Sequence, residues 1–328
     1  MQFTERTELE KGFAEVFERE VGPALLNIEE QRVEKLKQAT LYAAGVAIAG
    51  VVLAVILFMT ASGGFAFFAG CILGFGGVFG GVAIWNSYNK SWAGAVEGAV
   101  MPAICHHVGD LNFNSRGGHD FPFEPFRTLG IVGGHNRSTL KNQLRGTHHE
   151  TDFQIVEALL QQKTRRAGKS NSSSTRTVFQ GLLFWISVPV ATPGPILIAR
   201  DLGSLGNKVS SFFSFGAGRG MPRVALPHQA FEAAFEVHAD DPQGTIDFLP
   251  PAFLDSLLEI AEFEGSRGTK SMMAGFNDKS FYLALSQSGG FMKMGTLTKS
   301  VRDMEPDLHG IFADIALAHR VIDRLHGV

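Results

Sequence analysis

Between Lys37 and Lys90 the chain carries no charged side chain. Two apolar runs, residues 41–59 and 65–85, fill that gap, parted only by Thr60, Ala61, Ser62, Gly63 and Gly64. A hydrocarbon core about 30 Å thick takes roughly 20 helical residues at about 1.5 Å each, the length of either run. Five small residues suffice to reverse the chain, so a transmembrane helical hairpin is expected. Neither run holds Asp, Glu, Lys, Arg or His, so nothing marks an ion path or proton relay, which disfavours a transporter or channel.

Other absences narrow the class further. The 328 residues include only two cysteines, Cys71 and Cys105, which is no disulfide framework and fits a reducing compartment. The net charge of −3 and pI of about 6.4 leave no global basic footprint for nucleic acid. No signal peptide is expected, because the first forty residues are charged throughout and the first apolar run is followed at once by a second. The turn at 60–64 lacks Lys and Arg, whereas Arg32, Lys35 and Lys37 precede the first run and Lys90 follows the second. The positive-inside bias then predicts two spans with both termini cytoplasmic.

Catalytic signatures are missing as well. There is no HExxH, no CxxC pair and no GxSxG. Ala167 to Ser170 resembles the end of a phosphate-binding loop, but Lys163 stands where the leading glycine belongs. Gly216, Gly218 and Gly220 miss the dinucleotide spacing, since position 221 is Met. Histidines crowd at His106/His107, His119, His135 and His148/His149, but adjacent histidines on one segment tend to diverge, so no metal ligand, catalytic residue or cofactor is assigned.

What is present falls into three regions: residues 1–38, 39–87 and 88–328. In the first, Phe13, Phe17, Val21, Leu25, Ile28, Val33 and Leu36 recur every three to five positions among Glu and Lys. That is an amphipathic helix, with a break expected near Gly22 and Pro23. Its stripe suits a coiled coil with a partner and equally suits packing on the protein itself. In the second span Gly70, Gly74, Gly77 and Gly81 share one face, with Ala43, Ala47 and Ala54 as their nearest complement. Close packing within the hairpin is favoured over a seam between copies in a homo-oligomer.

Beyond the hairpin a short membrane-proximal helix is expected over 91–107, an irregular connection over 114–147, and a segment at 151–162 open between helix and strand. Lys163, Arg165, Arg166, Lys169 and Arg176 carry no acid among them and read as a polar loop, a candidate contact for anionic lipid headgroups. It has no interleaved aromatics, so single-stranded nucleic acid is disfavoured. Strands are expected over 178–188, 196–199 and, by clean alternation, 231–239. A loop is expected over 203–222 and a turn over 240–244, then a helix with Pro251 in its first turn. A hairpin follows around Asn277 and Asp278, and a last helix over 305–325. The aqueous part is therefore an α+β domain, preceded by an amphipathic helix and a two-helix transmembrane hairpin.

The order and spacing of Val178, Phe179, Gln180, Gly181, Leu182 and Leu183, of Phe231 to Val237 with Asp240 and Asp241, and of Leu249, Pro250, Pro251, Ala252, Phe253 and Leu254 carry a resemblance. With the N-terminal helix and hairpin, the chain resembles the bacterial domain-of-unknown-function family 3137. The resemblance implies a bacterial inner-membrane protein and brings no catalytic residues. Such proteins are often encoded beside LemA-type coiled-coil membrane proteins, which makes one of these the expected partner. The resulting expectation is a membrane-anchored binding or scaffold module. The alternative is a membrane-tethered, metal-dependent hydrolase built from the His-rich segments.

Overall fold

The computed structural model of the protein describes residues 1–60, 63–109, 111–165, 173–200, 220–266, 271–287 and 289–326. It divides into two compact units, Met1–Val108 with Lys293–Phe312, and Gly109–Met292 with Ala313–Val328. Long apolar helices dominate the first and an antiparallel sheet with helices the second, an α+β architecture.

In the first unit, α1 (Phe13–Val16) leads through a π-helical turn, Phe17–Val21, into α2 (Gly22–Thr60). The break expected near Gly22 and Pro23 takes the form of this π-helical turn, without a gap in the helix. Gly22 keeps helical angles, and the wider turn falls just before Pro23, which has no amide hydrogen to donate to the preceding turn. The first half of the apolar stripe is not a free surface. Phe13, Phe17, Val21 and Leu25 are buried, and Phe13 meets Phe3 and Phe312 edge-on at centroid distances of 5.1 and 4.9 Å. Further along the stripe Ile28 and Leu36 are half-buried and Val33 is exposed, so only its first half is taken up within the unit.

Helix α3 (Gly64–Gly109) runs on without interruption through the stretch expected as a separate short helix. The boundary expected at residue 88 falls inside it. Two helices, Phe13–Thr60 and Gly64–Gly109, are long and apolar enough to cross a membrane. They pack through small residues. A Cβ on Gly77 would lie 2.7 Å from the Gly50 Cα and one on Gly81 2.6 Å from the Ala43 carbonyl oxygen. One on Gly74 would lie 3.6 Å from the Ala54 Cβ, and Gly70 lies under the ring of Phe58. The side chains turned away from this seam are large and bare, among them Leu41, Ile48, Met59, Phe65, Ile72 and Phe79.

Within the same unit, a polar clamp ties α2 to the segment before the last helix. Arg32 donates twice to Glu29, from Nε at 3.0 Å and Nη2 at 2.9 Å, and from Nη1 to the Leu297 carbonyl at 2.9 Å. Glu29 also accepts from the Ser300 hydroxyl and the Val301 amide, at 3.0 and 3.2 Å. Burial alone would raise the Glu29 carboxyl, but the Arg32, Val301 and Ser300 hydrogen bonds outweigh it and lower its pKa.

Among the described residues, the second unit is built on a nine-stranded antiparallel sheet. Its strands are β1 (Asn112–Asn114), β2 (Arg137–His148), β3 (Thr151–Arg165), β4 (Ser173–Ser187), β5 (Ile196–Arg200), β6 (Arg223–Val224), β7 (Phe235–Ala239), β8 (Ser271–Asn277) and β9 (Ser280–Ser286), in the order β1-β2-β3-β4-β9-β8-β5-β7-β6. The helices in chain order are α4 (Glu124–Thr128), α5 (Gln229–Ala234), α6 (Pro242–Phe248), α7 (Pro251–Ser266) and α8 (Glu305–His326).

Several expectations change here for identifiable reasons. The irregular connection at 114–147 contains α4 and all but the last residue of β2, whose alternation is broken by a bulge between Lys141 and Leu144 with Asn142 at φ 52°. Pairing on both edges makes 151–162 a strand. The basic loop is shorter than expected, because Lys163, Arg165 and Arg176 lie in β3 and β4, with Gln162 opposite Arg176. Arg166 and Lys169 lie outside the described residues, as does nearly all of the loop expected at 203–222.

The strand expected over 231–239 starts only at Phe235. Phe231 and Phe235, stacked at 5.0 Å, are four apart, a spacing that serves a helical turn as well as an alternating strand. His228 caps that turn by accepting from the Phe231 amide at 3.2 Å. The expected turn at 240–244 is instead the start of α6, where Asp241 accepts from the Gly244 amide at 3.0 Å and Pro242 occupies the first turn.

Candidate functional site

Strands β2 and β3 are joined by only His149 and Glu150, with His148 directly opposite Thr151. Both turn residues have positive φ, 48° and 59°. A two-residue turn of that hand usually takes Asn-Gly, because side chains in the left-handed region cost about 1–2 kcal/mol per residue. The conformation brings the neighbouring imidazoles together, with centroids 4.2 Å apart. The expected divergence of tandem histidines fails here, since that expectation presumes an extended or right-handed backbone.

The last helix supplies the other half. His319, Asp323 and His326 follow one another at spacings of four and three, one face of α8. Asp323 Oδ1 lies 2.6 Å from His148 Nε2 and 3.3 Å from His149 Nε2. His319 stacks on His148 at 3.9 Å with the rings 3° from parallel. His326 Nε2 lies 2.6 Å from the Thr151 hydroxyl, which is 3.3 Å from the His149 carbonyl oxygen, so the far end of the helix braces the turn. Arg324 pairs with Glu259 at 2.9 Å and Arg320 sits 4.0 Å over the Phe263 ring, fixing this part of α8 against α7.

Burial first, and then the neighbouring His148, push the His319 imidazole down to about 4, so it is neutral near pH 7. Thr151 and His326 also line a cleft of about 230 Å³ whose other walls are mainly apolar, including Val188, Val190, Phe248, Phe253 and Phe276. The candidate ligand atoms of His148, His149 and Asp323 all lie within 4.8 Å of one another. Two imidazole nitrogens and one carboxylate oxygen are the donors that zinc-class ions take.

The other histidine segments do not join this cluster. The His107 ring packs on Phe13 at 5.2 Å, His135 lies 2.8 Å from the Gly133 carbonyl oxygen, and Asp120 beside His119 pairs with Arg145. Sequence reasoning named His148 and His149 but missed Asp323, His319 and His326. The available signal was the polar spacing along the last helix, where only the apolar face was read.

Residues 177–326 match the family model described as "Protein of unknown function (DUF3137)", which supports the resemblance to that family. The matched stretch takes in Asp323, His319 and His326 but begins after the β2–β3 turn. No curated protein matches the chain. A solved structure, the crystal structure of the mycobacterial trehalose monomycolate transport factor A, TtfA, aligns over 72% of this chain and 93% of its own at 8% identity and a TM-score of 0.30, a likeness too slight to argue from.

Proposed function

We propose that this is a two-span protein of the bacterial inner membrane that holds a cytoplasmic α+β module for binding or scaffolding a protein partner. The observation that carries the reading is the bare apolar surface of α2 and α3. Phe65 is 89% exposed, Leu41 69% and Phe79 70%, on two adjacent helices whose facing sides are already packed. Water would make that surface costly at about 25 cal/mol per Å², whereas lipid would not. Arg32, Lys35 and Lys37 before the first run, against an uncharged turn, favour cytoplasmic termini. The family resemblance favours a LemA-type membrane protein as the partner. Lys163, Arg165, Arg166, Lys169 and Arg176 suit anionic lipid headgroups, at about 1 kcal/mol for each charge near the surface. Reporter fusions test the topology: one at Val328 is expected to report cytoplasm and one at Gly63 periplasm. A periplasmic signal at Val328 would reverse the compartment and remove cytoplasmic partners.

A further inference from the structure

We propose that His148, His149 and Asp323 bind one divalent transition-metal ion of the zinc class, with a coordination position left open for water or a ligand. The proposal concerns the sheet unit and stands whether or not the long helices cross a membrane. The plainer alternative is a structural hydrogen bond, because His148 Nε2 and Asp323 Oδ1 at 2.6 Å already make a complete one.

That alternative leaves His149 unexplained. His149 sits at φ 48° and Glu150 at φ 59° in a turn where glycine or asparagine would be cheaper. This backbone aims a second imidazole at the same carboxylate oxygen, 3.3 Å away. Two ligand atoms of a tetrahedral ion, each about 2.1 Å from it, are about 3.4 Å apart. The His149–Asp323 distance already fits, and the His148–Asp323 distance needs to widen by less than about 1 Å as a proton is exchanged for the ion.

The surroundings hold the three groups in place as supporting residues do around metal sites. The stacked His319 limits rotation of the His148 ring, and the contacts from His326 through Thr151 to the His149 carbonyl brace the turn. Two nitrogens and one oxygen favour zinc, nickel or cobalt over the all-oxygen shells of calcium and magnesium. Three protein ligands leave the fourth position of a tetrahedron open.

The test uses the full chain purified in detergent, stripped with chelator, then loaded with Zn²⁺ and separated from free metal. One zinc per chain is expected, and Co²⁺ in its place should give the visible absorption of a tetrahedral site. His149→Gly and Asp323→Asn should each weaken uptake by at least about tenfold, and Thr151→Val by about tenfold through loss of its bracing contacts. The control, His119→Gln, should bind as wild type does. His149→Gly is the decisive variant even if Asp323→Asn fails to fold. Glycine accepts the backbone angle, so its metal-free melting temperature should equal or exceed that of wild type, while the rise caused by Zn²⁺ disappears. Less than stoichiometric zinc on wild type, or undiminished uptake by His149→Gly, would overturn the proposal.

Discussion

Gly50 and Gly77 meet backbone to backbone, so that a Cβ on either would come within 2.7 Å of the other's Cα. Nothing larger than hydrogen fits between these helices without parting them. Gly77→Leu and Gly50→Leu should each destabilise the helix pair by about 1–3 kcal/mol or more, the usual cost of overpacking. Gly74→Ala should be nearly neutral, as its new methyl would stand 3.6 Å from that of Ala54. Denaturant titration in detergent reads the difference, and equal tolerance at all three positions would mean the seam is not a packing surface.

Gly63, in the turn between the helices, has φ +114°, a region that L side chains rarely adopt. The position has open space around it, so Gly63→Ala isolates the backbone term. We expect a loss of about 1–2 kcal/mol in the same titration. No loss would show that the turn can relax to a right-handed conformation.

The clamp at Glu29 gives a prediction with a sign in pH. Its carboxyl is held below the ordinary 4.5, so its ionised form is stabilised by folding. The advantage of wild type over Glu29→Gln should be fully present above about pH 4.5 and fade as the pH falls through the lowered value. Chemical denaturation of both chains over that range measures it. A difference that grows on acidification would contradict the assignment of Arg32, Ser300 and Val301 as partners of the charged form.

Phe13 is fully buried in a cluster with Phe3, Phe17 and Phe312. Truncating it removes core rather than an interaction surface. Phe13→Ala should cost about 3–5 kcal/mol of stability. An unchanged melting temperature combined with weakened partner capture would restore the stripe as a docking surface.

Legibility in the sequence followed the strength and locality of the pattern. The two uncharged runs were readable from their length and lack of charge, the Asn277–Asp278 hairpin from its turn residues, and the last helix from a periodicity that holds over it. The small-residue face of the second span likewise pointed to Ala43, Ala47 and Ala54, although Gly50, which makes the tightest approach, went unnamed. Strand β2 was hidden by its polar composition and its bulge at Lys141 to Leu144. The 231–239 segment misled because Phe231 and Phe235 satisfy two periods at once. The His148, His149 and Asp323 cluster was half legible. Its histidines are adjacent in sequence, but their convergence depends on a left-handed turn and on a helix far along the chain, and neither leaves a local signature.

Membrane anchoring is the central claim, and alkaline carbonate extraction of cell membranes bearing the full chain tests it most directly. A chain held by two apolar helices should remain in the pellet at high pH and be released only by detergent. Release into the carbonate supernatant would contradict it, and would require the bare surface of Leu41, Phe65 and Phe79 to be covered by protein instead of lipid.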